Sequence, residues 1–176
     1  VAVITNVAPN HLDVHKDMQE YIDSKKNLYL HQNAFSRTVL NLDNDVTRSF
    51  APEVRGELSF FSRREMPENG AFLDEDGVLY AVHHGRKEAL LKKDEIVIPG
   101  LHNVENYLAA ISAVDGEVEP EKIVKVAKTF GGVEHRIERV RELDGVTWYN
   151  DSIASSPSRT IAGLNSFNQK IIIIAG

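Results

Sequence analysis

The sequence predicts an α/β fold with a mainly parallel sheet flanked by helices and a small antiparallel β insertion. Short runs of apolar, β-branched residues alternate with helically periodic segments along the 176 residues, the order typical of strands joined by crossover helices. Residues 56–100 are different, because several β-rich runs follow one another there and Asp76-Gly77 indicates a hairpin. We expect this stretch to form a small antiparallel sheet inserted in the larger fold.

Apolar periodicity and turn residues define the elements in order. VAVITNV predicts a buried strand, and after the loop APNHLDVHKD a helix is predicted over residues 16–32. RTVLNLDND predicts a strand that ends in a polar turn. NVENYLAAISAV predicts a helix that ends at Gly116, and PEKIVKVAKTFGG predicts another with Pro120 near its start.

The last third of the chain continues the alternation. RIERVRELDGVTWYND predicts two strands joined by a turn at Gly145. SSPSRTIAGLNSF predicts a helix capped by Ser155 or Ser156, with Pro157 in its first turn. The closing KIIIIAG predicts a further buried strand.

The ends of the chain and one internal change suggest how it is organised. Because the chain starts and stops inside predicted core strands, we expect it to be a piece of a longer polypeptide. A new helix–strand unit begins near residues 150–157. We therefore expect residues 1–152 and residues 153–176 to belong to different domains.

Composition excludes several classes of protein. A net charge of −6 and the lack of a basic tail argue against a general surface for nucleic acid or anionic membranes. The chain has no cysteine, which excludes disulfides and thiolate metal sites. The apolar run IIIIAG is far too short to cross a bilayer.

Two adjacent lysines, Lys25 and Lys26, lie in the predicted helix over residues 16–32. Spacings of three and four define an apolar stripe of Met18, Tyr21, Ile22, Leu28 and Tyr29. Lys25 lies on that stripe, whereas Lys26 lies beside it and is expected to face water. A lysine on a packed face either extends its ammonium to solvent or is a functional amine whose charged form burial disfavours.

The loop after the first strand carries His11 and Asp13. Ligands of α/β proteins bind at the carboxyl ends of strands, so His11 is a candidate metal ligand, with an ordinary surface histidine as the alternative. The helix with Lys25 follows closely. A neutral lysine reacts with carbon dioxide to give a carbamate, whose oxygens suit Mg²⁺. Lys25 and His11 are therefore candidate ligands of one metal.

Asn103 and Asn106 open the helix after Gly100 and lie three residues apart, hence on one face. One interpretation is that Asn103 simply caps the helix. The other is that both amides face a nucleotide, because a helix N-terminus favours phosphate.

Two further residues suggest a nucleotide site. Arg136 follows a glycine pair, where it could clamp a phosphate, or it could be a solvated arginine of an alternating strand. Asp151 ends an apolar strand, where it could accept a hydrogen bond from a ribose hydroxyl, or it could serve as a turn or cap residue.

The G-x-x-x-x-G-K-[ST] phosphate loop does not occur in the sequence. If the chain belongs to an ATP-using enzyme, its main phosphate cradle lies elsewhere. The missing loop also leaves open a second class of function, a non-catalytic binding or interaction module.

Taken together, five stretches resemble the Mur ligase family, which adds amino acids to the UDP-linked muramic acid precursor of peptidoglycan. They are TNVAPNHLDVH, YIDSKKNLYLHQ, IPGLHNVENYLAA, GGVEHRIERV and NDSIASSPSRTIAGL. The pair His135-Arg136 followed by NDS is most similar to the D-glutamate-adding members. The resemblance implies the later part of the ATP-binding central domain, followed by the first helix and strand of the C-terminal domain.

The resemblance also implies roles for individual residues. It implies that His11 and a carbamylated Lys25 bind Mg²⁺, the lysine being placed by the family pattern that begins at Tyr21. It implies nucleotide contacts by Asn103, Asn106, His135, Arg136 and Asp151. Many of the D-glutamate-adding members have lysine where Ile153 stands, so a substrate or domain-closure role of that lysine does not carry over to this chain.

The implied activity is that of an ATP-dependent amide ligase. Its substrates are expected to be UDP-N-acetylmuramoyl-L-alanine and D-glutamate, and its cofactors ATP, Mg²⁺ and carbon dioxide for the carbamate. The full-length protein is expected to be a cytoplasmic monomer without a nucleic-acid or membrane partner. The alternative is another ligase of the Mur or folylpolyglutamate type. We expect the 176 residues alone to be inactive.

Overall fold

The computed structural model describes residues 1–9 and 15–175, and within them it has eight strands and five α-helices. The strands are β1 (Ala2–Ile4), β2 (Arg37–Asn41), β3 (Glu57–Ser62), β4 (Gly70–Leu73), β5 (Val78–His83), β6 (Arg86–Lys92), β7 (Glu138–Leu143) and β8 (Val146–Asn150). The helices are α1 (Met18–Leu30), α2 (Asp45–Arg48), α3 (Leu101–Val114), α4 (Pro120–Thr129) and α5 (Pro157–Leu164).

Six strands form one sheet in the order β1-β2-β3-β4-β5-β6. The pairings from β1 to β4 are parallel, and those of β4 with β5 and β5 with β6 are antiparallel. The predicted fold class is therefore confirmed. The β-rich stretch over residues 56–100 is not a separate insertion, however, because β3 pairs directly with β2 and its strands extend the main sheet.

Helices cover the two faces of this sheet. Val39 packs into a core with Leu108 and Ile111 of α3, and its neighbour Leu40 packs on the opposite face with Tyr29 of α1. Successive side chains of a strand point to opposite faces, so β2 contributes to both cores. The sheet is thus the central layer, with α1 on one face and α3 on the other.

The two ends of α3 lie near opposite ends of the parallel strands. Near its carboxyl end, the carbonyl of Asp115 accepts a hydrogen bond of 2.6 Å from Arg37, the first residue of β2. Near its start, Glu105 binds Arg63, which directly follows β3. Helix α3 therefore runs opposite to the parallel strands and begins at their carboxyl edge, where α/β proteins bind ligands.

Several local predictions are confirmed. Helix α4 begins at Pro120 and α5 at Pro157, because proline fits the first helical turn without losing a hydrogen bond. Strands β7 and β8 form the predicted hairpin. Asp144 and Gly145 connect them with φ of +51° and +76°, the left-handed pair that a two-residue hairpin turn requires.

Two local predictions are wrong. Residues 171–175 form no strand with the described residues, because a strand needs a neighbour to bond with and their apolar character supplies none. Leu28, placed on the packed stripe of α1, is 56 % exposed. No helix among the described residues combines the length and apolar character needed to cross a bilayer.

Candidate nucleotide site

The two asparagines at the start of α3 contact each other. Asn103 Nδ2 donates to the carbonyl of Pro99 at 2.6 Å, and Asn103 Oδ1 accepts from Asn106 Nδ2 at 3.3 Å. The N-cap residue is Gly100, at a φ of +102°, so the capping interpretation of Asn103 is wrong. Asn103 is buried and fixes the amide of Asn106, which is the more exposed of the two.

Asp151 holds the turn that carries Arg136. Its Oδ1 accepts the backbone N–H of Ile137 at 3.1 Å, and the N–H of Arg136 donates to the carbonyl of Val133 at 3.2 Å. The turn needs this support because Ile137 has a φ of +45°, which is unfavourable for a β-branched residue. Asp151 thus stabilises a turn, as its alternative interpretation predicted. Arg136 lies before β7 and not within a strand, so the strand interpretation of Arg136 is wrong.

His135 lies beside this turn and faces the end of β8. Its Nδ1 lies 2.8 Å from Nδ2 of Asn150, and its backbone N–H donates to Glu138 at 2.8 Å. His135 itself has a φ of +65°. The first contact holds the imidazole at the end of β8, and the second holds the backbone that precedes Arg136.

A cavity of about 320 Å³ joins α3 to the Arg136 turn. Asn103, Asn106 and Arg136 all line it, so three of the predicted nucleotide residues converge. The rest of the wall is mainly apolar and comprises Ile98, Pro99, Tyr107, Ala110, Val126, Phe130, Gly132, Val133 and Ile137. An apolar cleft with a few convergent polar groups is typical of a small-molecule site. His135 and Asp151 are not in this wall.

His102 connects the two halves of the site electrostatically. Burial lowers the pKa of its imidazole, and Arg136 lowers it further, while Glu105 and Asp151 act in the opposite direction. Charged groups of α3, of the Arg136 turn and of the segment after β8 therefore lie around the His102 side chain. His102 is therefore largely neutral at pH 7, and it is not among the site residues predicted from the sequence.

Lys25 lies away from this cavity, on α1. Its Nζ is 5.2 Å from the centre of the Tyr21 ring; Tyr21 is buried and Lys25 is half-buried. Lys26 does not face water as predicted, because its Nζ binds Glu53 Oε1 at 2.5 Å and its side chain is only 21 % exposed. Helical periodicity missed this pairing because Glu53 lies 27 residues further along the chain.

The second predicted metal ligand, His11, lies outside the described residues. Among the residues that the structure does describe, no group of three or more His, Asp or Glu side chains is placed to hold a metal ion. A larger open groove of about 680 Å³ runs along α1, and Lys26 and Glu53 line it, but Lys25 does not.

Comparisons with known proteins show the family to which the fold belongs. The family model for the Mur ligase middle domain matches residues 1–114. The fold resembles MurF from Acinetobacter baumannii, with a TM-score of 0.70 at 19 % identity over 95 % of this chain and 37 % of that one. It also resembles MurF from Thermotoga maritima in complex with ADP, with a TM-score of 0.68 at 18 % identity over 94 % of this chain and 38 % of that one. The chain belongs to the Mur ligase family.

Relatives of much higher identity are more specific. The chain is 58 % identical to the UDP-N-acetylmuramoylalanine--D-glutamate ligase of Acetivibrio thermocellus and 54 % identical to that of Clostridium botulinum. Both matches cover the whole of this chain, but only 38 % and 37 % of those proteins. The chain thus spans little more than a third of the relatives it matches.

Proposed function

We propose that this chain is the later part of the central domain of an ATP-dependent ligase that joins D-glutamate to UDP-N-acetylmuramoyl-L-alanine, continued from residue 153 by the start of a C-terminal domain. The observation that carries the proposal is the convergence of Asn103, Asn106 and Arg136 on one cavity at the carboxyl edge of the sheet. The names of the relatives, at 54 % to 58 % identity, support the choice of amino acid.

The nucleotide would bind across the start of α3. The amide of Asn106, oriented by Asn103, would contact the base, because an amide can donate and accept hydrogen bonds at once. The exposed guanidinium of Arg136 would contact the phosphates, for which its planar donors are suited. Asp151 would accept from the ribose while keeping its bond to Ile137, and His135 would pack beside them.

The reaction would proceed in two transfers. A carboxylate oxygen of UDP-N-acetylmuramoyl-L-alanine attacks the γ-phosphorus of ATP, forming an acyl phosphate and releasing ADP. The amine of D-glutamate then attacks the acyl carbon, the amide forms, and inorganic phosphate and a proton leave. Catalysis of phosphoryl transfer depends mainly on positioning and on offsetting charge, and Arg136 would contribute to both.

Lys25 is proposed to act as a carbamate. It is half-buried beside the Tyr21 ring, whereas Lys26 is paired with Glu53. A carbamate would present oxygens of the kind that Mg²⁺ prefers. Because the described residues assemble no metal cluster, the proposal for Mg²⁺ depends on Lys25 and on His11, which lies outside them.

The setting of the protein is part of the proposal. We expect a cytoplasmic enzyme, because a nucleotide-linked precursor and ATP are both supplied there. The net charge of −6 argues against a polyanionic partner. We expect the full-length protein to act as a monomer.

The test is ADP release by the full-length protein with UDP-N-acetylmuramoyl-L-alanine and bicarbonate, scanned over candidate amino acids. Turnover with D-glutamate alone is the expected result. Turnover with L-alanine, diaminopimelate or another acceptor would assign the protein to a different ligase of the same fold. If no acceptor gave turnover, the ligase proposal would fail in favour of a binding module.

A further inference from the structure

The turn that follows β3 is fixed by four hydrogen bonds to the side chains of Asp43 and Ser62. Asp43 Oδ1 accepts from Ser62 Oγ at 2.6 Å, and Asp43 Oδ2 accepts the backbone N–H of Arg63 at 2.7 Å. Ser62 Oγ in turn accepts the N–H groups of Arg64 and Glu65 at 2.9 and 3.0 Å. Ser62 is fully buried, so the backbone of Arg63 has a fixed place at the carboxyl edge of the sheet.

The side chain of Arg63 crosses from this turn to α3. Its Nε donates to Glu105 Oε1 at 2.5 Å, and the two side chains are 28 % and 31 % exposed. Hydrogen bonds between charged partners that are partly shielded from water are stronger than those at an open surface. The pair therefore joins the end of β3 to the second turn of α3.

Glu105 is one of the two residues that lie between Asn103 and Asn106 in the sequence. It follows Asn103 by two residues and precedes Asn106 by one, and it lies outside the cavity wall. It also influences His102, as do Arg136 and Asp151. A shift of Glu105 would therefore shift the helical turn that presents both amides, although Arg63 itself is not in the cavity.

We propose that Arg63 is a positioning residue of the nucleotide site, which holds the start of α3, and with it Asn103 and Asn106, against the carboxyl edge of the sheet through Glu105. This inference rests on the proposed nucleotide site. It also explains the hydrogen bonds around Ser62 and Asp43, because Arg63 can position Glu105 only if its own backbone is fixed. A misplacement of about 1 Å caused by a substitution outside a site can cost about a hundredfold in rate, so the position of α3 matters.

The test compares Arg63→Met with Arg64→Met in the full-length protein. Arg64 is the adjacent arginine, it is exposed, and its side chain is in no ion pair among the described residues. Isothermal titration with ADP and with AMP should show Arg63→Met weakening both nucleotides by the same factor, about tenfold, and Arg64→Met changing neither by more than about twofold. Arg63→Lys should recover part of the loss.

Each outcome decides for or against the inference. Unchanged affinity in Arg63→Met would overturn it. Weaker ADP binding with unchanged AMP binding would also overturn it, because Arg63 would then be a direct ligand of the second phosphate. If Arg63→Met does not fold, Glu105→Gln replaces it, with the same expected loss for both nucleotides and the same contradicting results. A wild-type protein that bound neither nucleotide would overturn the proposed site itself, and the inference with it.

Discussion

Replacing Gly70 with alanine is predicted to break the contact between β3 and β4. Gly70 has a φ of +126°, which residues with a side chain rarely adopt. A Cβ atom there would lie 1.9 Å from the carbonyl oxygen of Phe60 and 2.8 Å from its nitrogen. Phe60 is the residue paired with Gly70 in the parallel ladder, so the clash is with backbone that has no freedom to rotate away.

The cost can be worked from this geometry. Forcing a non-glycine residue to this φ costs about 1–3 kcal/mol. Relieving the clash requires the strands to separate by roughly 1 Å, which loses at least one ladder hydrogen bond, worth about 1 kcal/mol. It also loosens the buried contact between Phe61 and Ala71. We expect a total of about 3–5 kcal/mol, a large part of the stability of a typical domain.

The matched control is Gly85→Ala. Gly85 also has a positive φ, +73°, but nothing lies within 4 Å of a Cβ built there. Its replacement should cost only the backbone strain, about 1 kcal/mol. Thermal unfolding followed by circular dichroism should show a midpoint lower by about 6–20 °C for Gly70→Ala and by about 2–4 °C for Gly85→Ala. Equal losses in the two variants would refute the reasoning.

Three further predictions concern single side chains. Lys25→Ala should fold but lose most ADP release, with partial recovery on adding short-chain carboxylic acids; loss and recovery in Lys26→Ala instead would contradict the assignment. Burial lowers the pKa of His102, so protons bind the unfolded state more readily, and the stability that this residue contributes is present above pH 6.5 and lost as the pH falls. His102→Gln should therefore lose less stability than the wild type between pH 7 and pH 5, and an equal loss would disprove this. Leu108→Ala should lower the free energy of unfolding by about 2–5 kcal/mol because Leu108 is fully buried, whereas the exposed Leu28→Ala should change it by less than about 1 kcal/mol; similar values for both would be inconsistent with the packing of α3.

Local chemistry made much of the fold predictable from the sequence. Pro120 begins a helix because its ring fixes φ near the helical value, and Gly145 turns a hairpin because glycine adopts a positive φ without steric cost. The same reasoning failed for Leu28 and for residues 171–175, because apolar character alone does not supply a partner. Whether a segment is buried depends on what packs on it, and that depends on residues distant in the sequence.

Part of the candidate site was predictable from the sequence, namely the residues where a helix begins at the carboxyl edge of the sheet. Asn103 and Asn106 share a helix face, so their contact follows from helical geometry. Arg63 was missed, because it lies at an irregular turn and its partner Glu105 is 42 residues away. Lys26 was misplaced for the same reason, since its contact with Glu53 belongs to the tertiary structure. Neither the Arg63–Glu105 pair nor the Lys26–Glu53 pair can be predicted from the periodicity of the sequence.

The proposed functional groups lie on two different faces of the sheet, and this constrains how one reaction could use both. Lys25 belongs to α1, which packs on one face, and the asparagine cavity belongs to α3, which packs on the other. The carboxyl ends of the parallel strands, where Asp43 accepts a hydrogen bond from the backbone of Arg63, lie between these two faces. On the proposed function, a nucleotide with its base in the cavity would extend its phosphates along that edge toward Lys25. The position of α3 relative to this edge would then affect two quantities. One is the affinity for the nucleotide, and the other is the distance between its phosphates and Lys25.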